Sequence, residues 1–141
     1  MASTEASFKT EFRKSLVLEY GDGIFMWSPS DKFRSGISDL LISRSSGLLG
    51  VEFKFIKSIP ARETTRVLTH EVSTPQISFI ENLRRTGNNG VLVIGTPDVA
   101  VVMSDLKNNY TLAEVRAAPR IEKRSGVWQV KNFYEEWYAK R

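Results

Sequence analysis

Two carboxylates and one lysine stand where two neighbouring strands would bring them together. Asp39 lies in one run with strand character, and Glu52 and Lys54 lie in the next. Residues 45–47, Ser-Ser-Gly, predict a tight turn between the runs, so the two strands should form a hairpin. Because side chains alternate along a strand, Glu52 and Lys54 share one face while the apolar residues around them face a core.

These residue types suit hydrolysis of a phosphodiester bond with a divalent metal. Asp39, Glu52 and the main-chain carbonyl of Phe53 are the hard oxygen ligands that Mg²⁺ prefers, and they leave positions for water and a substrate phosphate. Bound Mg²⁺, or Mn²⁺ in its place, would lower the pKa of a water and stabilise charge on the phosphate. Lys54 would orient that water or neutralise the negative charge of the transition state.

The same residues resemble the signature of the PD-(D/E)XK nuclease superfamily, an Asp on one strand and a Glu-x-Lys on the next. Asp39, Glu52 and Lys54 match it, and Ser38 stands where Pro is usual. The likeness extends over roughly residues 11–95 and points to the small single-domain members, the virus-type replication and repair nucleases and the Holliday junction resolvases. It implies a restriction-endonuclease-like αβββαβ core, a mixed central sheet flanked by helices, and DNA as the substrate.

Two predicted helices accompany the hairpin. The first, over residues 5–19, carries Glu11 beside an apolar stripe at helical spacing formed by Phe8, Phe12 and Leu16. The second, over about 74–86, begins with a capping serine and a proline and sets Gln76 among apolar residues. The resemblance implies that Glu11, rather than Glu5, and Gln76 face the metal. The alternatives are a solvated carboxylate for Glu11 and a core amide bonded to the main chain for Gln76.

Basic residues surround the candidate site in the sequence. The net charge of +4 and the pI near 9.5 favour an anionic partner such as nucleic acid. Six cations are predicted to form a rim that contacts DNA phosphates, unless they are merely scattered solvated charges: Lys32, Arg34, Arg44, Lys57, Arg62 and Arg66.

The remaining sequence predicts one α/β domain over residues 1–141, with a core over about 5–103 and a helical, aromatic extension over about 104–141. Residues 58–72 are expected to form a loop. Further strands are expected over 24–27, 91–94 (central) and 99–103, and a short helix over 111–117. Three roles stay open for the C-terminal aromatic residues: packing on the sheet, forming the seam of a homodimer, or stacking on unpaired bases.

Composition excludes several classes of protein. The absence of cysteine excludes a disulfide framework and thiolate zinc sites, and the single His70 excludes histidine-based metal clusters. No apolar run approaches the roughly 20 residues that span a bilayer, so we expect a soluble intracellular protein in the cytoplasm, or in the host cytoplasm if the protein is viral.

Three functions compete on these observations. The first is a metal-dependent DNA endonuclease, with branched DNA such as a Holliday junction as a candidate substrate. The second is a catalytically silent nuclease-fold module that binds DNA or protein. The third treats Glu52 and Lys54 as an ordinary exposed pair on a strand of a non-nuclease domain.

Overall fold

The computed structural model describes residues 4–29, 36–69 and 71–140. Within them the helices are α1 (Glu5–Tyr20), α2 (Thr74–Arg85), α3 (Leu112–Ala117) and α4 (Phe133–Ala139), with one 3-10 turn at Gly21–Gly23. The strands are β1 (Phe25–Trp27), β2 (Leu40–Arg44), β3 (Gly47–Phe55), β4 (Arg66–Thr69), β5 (Asn89–Gly95), β6 (Val99–Met103), β7 (Asn109–Thr111), β8 (Arg120–Arg124) and β9 (Val127–Trp128).

Seven strands form a mixed central sheet in the order β1-β2-β3-β5-β6-β8-β9. Only the β3–β5 pair is parallel among the strand pairs described, and α2 supplies the crossover that a parallel connection needs. The predicted hairpin is confirmed, because β2 and β3 pair antiparallel and Arg44 opposite Gly47 closes a two-residue turn. The predicted central strand is also confirmed, since β5 is buried along its whole length.

The first helix packs on one face of the sheet through the predicted stripe. Thr4 begins α1 as its N-cap, since its side chain accepts a hydrogen bond from the main-chain nitrogen of Ser7. Phe8 and Phe12 are fully buried, and the Phe12 ring lies 5.5 Å from that of Phe53 on β3. Burying each such side chain contributes about 1.5–3 kcal/mol. The packing of α1 therefore holds β3, the strand that carries Glu52 and Lys54, from the face opposite to these two side chains.

The second helix covers the opposite face of the sheet, where Glu52 and Lys54 lie. Ile80 of α2 is 1% exposed and packs directly over Gly90 of β5. A Cβ at position 90 would overlap the Ile80 side chain, so the glycine lets the helix approach the sheet closely. The start of α2 is thereby brought next to β3.

Two predictions about the remaining segments need correction. The expected loop over 58–72 contains β4, which pairs with β7 in a second sheet. The expected helical extension over about 104–141 does contain the helices α3, near the predicted 111–117, and α4, but it also adds β8 and β9 to the central sheet. Both β4 and β8 are short and carry charged residues, and β8 buries only Ile121, so neither shows the apolar run or the clean alternation that predicts a strand.

The C-terminal aromatic residues pack within the chain. Phe133, Tyr134 and Trp137 of α4 are 2–4% exposed and belong to the same core cluster as the α1 stripe. Of the three roles considered for them, packing on the sheet is the one that the structure shows. In the part of the chain described, none of the helices has the length and apolar character to cross a membrane.

Candidate active site

The hairpin register sets Asp39 next to Glu52. Leu40 pairs with Val51, so Asp39, one residue before β2, stands across from Glu52 on β3. One Asp39 oxygen, Oδ2, accepts a hydrogen bond from the main-chain nitrogen of Phe53 at 2.9 Å. The other, Oδ1, accepts from Nζ of Lys9 at 3.1 Å. The Asp39 carboxylate is thus held from both sides at the end of the hairpin.

Glu52 is buried beneath the start of α2. Its side chain is 2% exposed, and its Oε1 accepts a hydrogen bond from Nε2 of Gln76 at 2.9 Å. The Gln76 side chain is itself fixed, because its Oε1 accepts from the main-chain nitrogen of Ser73 at 2.8 Å. Both interpretations of Gln76 therefore hold in part: one end bonds the main chain as a helix cap, and the other faces the candidate site.

The two carboxyl groups interact strongly. Burial, together with the hydrogen bond and negative charge of Asp39, raises the pKa of Glu52 from 4.5 to about 9. The charges of Lys54 and Lys9 act in the opposite direction on the pKa of Glu52. Two carboxylates in contact cannot both ionise easily, so the pair retains a proton at neutral pH unless a cation replaces it.

Lys54 follows Glu52 on the same face of β3. It pairs with Ile94 of the parallel strand β5 and is half-buried. Its charge acts on the pKa of Glu52, which places its ammonium within electrostatic reach of the carboxyl pair. The structure therefore brings together Asp39, Glu52, Lys54 and Gln76 of the predicted set.

Lys9 is a site residue that the sequence analysis missed. Burial lowers the pKa of its ammonium, but the charge and hydrogen bond of Asp39 and the charges of Glu5 and Glu52 outweigh burial and raise this pKa overall. The Glu5 carboxylate lies 3.6 Å from Lys9 Nζ, one helical turn away. In the sequence, the feature that could have indicated Lys9 is its position directly after Phe8, at the edge of the buried stripe.

The prediction that Glu11 faces the site is wrong. Its carboxylate pairs with Lys123 of β8 at 2.7 Å, on the flank of α1 opposite to Lys9. Successive helical residues turn by about 100°, so positions 9 and 11 point to nearly opposite sides of the helix. The buried stripe has two edges, and the sequence does not show which edge lies over β2. Glu5 is the α1 carboxylate on the site flank.

Arg44 lies away from the predicted phosphate-contacting rim. It ends β2, five residues from Asp39, which corresponds to about 17 Å along an extended strand. Its guanidinium is 2.7 Å from the Glu135 carboxylate and 5.5 Å from the centre of the Tyr20 ring. Arg44 therefore ties β2 to α4 at the far end of the hairpin.

The other predicted rim residues have different placements. Lys57, Arg62 and Arg66 are exposed. Lys57 lies two residues beyond the end of β3, whereas Arg66 begins β4 in the second sheet, opposite Thr111. Lys32 and Arg34 lie outside the described residues. Contact of any of these cations with DNA stays a prediction.

The available ligands for a metal are few. Among the described residues there is no group of three or more His, Cys, Asp or Glu side chains that could hold a metal ion. Metal binding at this site would therefore depend on the Asp39 and Glu52 carboxylates together with a main-chain oxygen such as that of Phe53. All of these are oxygen ligands, the type that Mg²⁺ prefers.

Comparison with known proteins identifies the fold. No protein-family model matches the sequence, and the search of curated proteins finds no match. Among solved structures, the chain is similar to Archaeoglobus fulgidus Hjc, a Holliday junction resolvase from an archaeal hyperthermophile. The TM-score is 0.51 and the identity is 14%, over 79% of this chain and 91% of Hjc. The similarity confirms the predicted fold class, an α/β domain with a large mixed sheet flanked by helices.

Proposed function

We propose that this chain is a Mg²⁺-dependent deoxyribonuclease of the PD-(D/E)XK type that hydrolyses phosphodiester bonds, with branched DNA as its substrate class. The observation that carries the proposal is the contact between half-buried Asp39 and buried Glu52, with Gln76 bonded to Glu52 and Lys54 on the same face of β3. The fold similarity to a Holliday junction resolvase supports the choice of branched DNA.

The donor set fits a hard divalent cation. Asp39, Glu52 and the Phe53 carbonyl would hold Mg²⁺, with Mn²⁺ as a substitute, and the cation would take the place of the shared proton. When bound, such a cation supplies a Lewis acid for the phosphate and a water of lowered pKa.

The chain's own side chains have distinct roles in this proposal. Gln76 fixes the Glu52 carboxylate, since its amide is anchored in the cap of α2. Lys9 and the main-chain nitrogen of Phe53 orient Asp39. Lys54 lies on the face that a substrate phosphate would approach, where an ammonium stabilises the negative charge that develops on the phosphate oxygens.

Cleavage of three substrates tests the proposal directly. Purified protein is incubated with supercoiled plasmid, with a four-way junction and with a linear duplex of the same arm sequence, in Mg²⁺, in Mn²⁺ and in EDTA. We expect cleavage only with metal, and faster cleavage of the junction than of a linear duplex with the same arm sequence.

Matched variants locate the activity. Asp39→Ala should lower cleavage by about a hundredfold or more, because it removes a metal ligand. DNA binding should be nearly unchanged, because the substitution leaves every positively charged side chain in place. Glu19→Ala, which removes an exposed carboxylate from α1, is the control. Uncut plasmid and junction with both metals, or wild-type cleavage by Asp39→Ala, would contradict the proposal.

A second candidate function is a silent nuclease-fold module that binds DNA. It is favoured by one contact, the Lys9 ammonium 3.1 Å from Asp39, because a built-in cation can neutralise the carboxylate that a metal would otherwise occupy. For such a module, the wild-type protein would bind the junction in EDTA and leave it uncut in both metals. Lys9→Ala would then be expected to weaken binding without creating cleavage.

The predicted homodimer also stays a proposal. Two copies would cut two strands of a junction symmetrically, and light scattering after size-exclusion chromatography measures the mass in solution. A monomer that cuts the junction would contradict the need for two copies.

A further inference from the structure

A cavity of 130 Å³ opens beside Asp39, between α1 and the edge formed by β1 and β2. Its polar lining comes from Lys9, Thr10 and Arg13 on α1 and from Ser28, which follows β1. Leu40 and Phe53 supply the apolar part. Asp39 forms one wall, so the cavity and the candidate active site are immediate neighbours.

The lining is chemically suited to a phosphate. Lys9 and Arg13 are four residues apart on α1, so their cationic groups project from the same side of the helix. The Arg13 guanidinium donates a hydrogen bond to the Ser28 hydroxyl, which positions it at the cavity. An ammonium and a guanidinium with adjacent hydroxyls are the donors that proteins use to bind phosphate oxygens. The apolar residues beneath them reduce screening by water and strengthen this attraction.

We propose that this cavity is a subsite for a second phosphate of the bound DNA strand, close in the strand to the phosphate at the Asp39–Glu52 pair. Arg13 is the principal cation of the subsite, and Lys9 is shared between it and Asp39. The inference takes its ligand from the proposed function, but it requires only that the chain binds DNA and does not require cleavage.

A purely structural role for Arg13 has different consequences. In that case the Arg13–Ser28 bond would only tie α1 to the end of β1, and its loss would lower stability without affecting DNA. A phosphate contact instead changes the salt dependence of DNA binding, because each neutralised phosphate releases counterions. The salt slope is therefore the quantity that separates the two roles.

The experiment measures binding of a fluorescent four-way junction by anisotropy, in EDTA, between about 50 and about 200 mM salt. Arg13→Gln removes the charge with little change in helix propensity, and Arg13→Lys keeps the charge. Arg124→Gln is the matched control, since Arg124 is exposed at the β8–β9 turn near the opposite edge of the sheet. Urea unfolding of each variant checks that it is folded.

We expect the slope of log affinity against log salt to be smaller by about 0.9 in Arg13→Gln than in the wild type. Over the fourfold salt range, wild-type affinity would then fall about 3.5-fold more than that of the variant. Arg13→Lys and Arg124→Gln should keep the wild-type slope. A wild-type slope in Arg13→Gln, an equal loss in Arg124→Gln, or absence of DNA binding by the wild type overturns the subsite.

Failure of the subsite and failure of the proposed function give different results. A reduced slope in Arg13→Gln together with a wild-type protein that cuts nothing supports the subsite and contradicts the nuclease. Metal-dependent cleavage together with an unchanged slope in Arg13→Gln supports the nuclease and contradicts the subsite. A lower urea midpoint with an unchanged slope assigns Arg13 to the structural tie and also overturns the subsite.

Discussion

The stability of the metal-free protein should fall as pH rises through neutrality, because Glu52 keeps its proton only while the chain is folded. Burial and the neighbouring Asp39 raise the pKa of Glu52 from 4.5 to about 9. Between these values the folded state binds one more proton than the unfolded state. The contribution of Glu52 to stability is therefore fully present below about pH 4.5 and is lost progressively up to about pH 9.

The size of the effect follows from linkage. One extra proton in the folded state lowers the free energy of unfolding by about 1.4 kcal/mol for each unit rise in pH. From about pH 6 to about pH 8 the loss is about 2.7 kcal/mol, a large part of the 5–15 kcal/mol by which domains are typically stable. Glu52→Gln keeps a neutral side chain of the same shape at this position, so it should remove the slope.

Urea unfolding in EDTA measures the slope. The difference in unfolding free energy between wild type and Glu52→Gln is compared across this pH range, which cancels the titration of His70 because both proteins carry it. Glu19→Gln, an exposed carboxylate on α1, should run parallel to the wild type. Added Mg²⁺ should flatten the wild-type slope, since a cation favours the ionised pair. A constant difference between wild type and Glu52→Gln in EDTA would refute the raised pKa of Glu52.

Two further predictions concern the partners of Glu52. Lys54→Ala should lower cleavage by about a hundredfold while DNA binding changes little. Lys54→Arg should also cleave slowly, because a guanidinium does not replace a compact ammonium. Full activity in both variants would remove Lys54 from the mechanism. Gln76→Ala should lower the free energy of unfolding in EDTA by about 1–3 kcal/mol, because buried Glu52 loses its amide donor. The control Gln129→Ala, at an exposed position, should change this free energy little. Equal effects of the two substitutions would refute the contact between Gln76 and Glu52.

The parts of the site that the sequence predicted are those set by local rules. The alternation along β3 determines that Glu52 and Lys54 share a face. The short turn before β3 sets the hairpin register, which makes Asp39 the cross-strand neighbour of Glu52. The serine and proline that begin α2 determine where the helix starts, and so where Gln76 lies within it. Each of these features depends on neighbours within a few residues, and each was predicted correctly.

The parts that the sequence did not predict depend on how distant elements meet. The stripe of α1 predicts that the helix is buried but not which of its edges faces β2, so the sequence does not reveal that Lys9 contacts Asp39 and that Glu11 pairs with Lys123. Arg44 is close to Asp39 in sequence, yet the direction of β2 carries it to α4 and Glu135. The strands β4 and β8 form because another strand is available to pair with them, which their own residues do not indicate.

Gln76 links the start of α2 to the chemistry of the site, and this explains why an amide is needed there. Its Oε1 accepts from the Ser73 nitrogen and completes the helix cap, while its Nε2 donates to Glu52. A glutamate could complete the cap but would add a third carboxyl group beside Glu52, whose pKa burial and Asp39 already raise. An alanine would lose both bonds. A glutamine alone of the three satisfies the helix and the site together, so the position of the Glu52 carboxylate is fixed by the same bonds that begin α2.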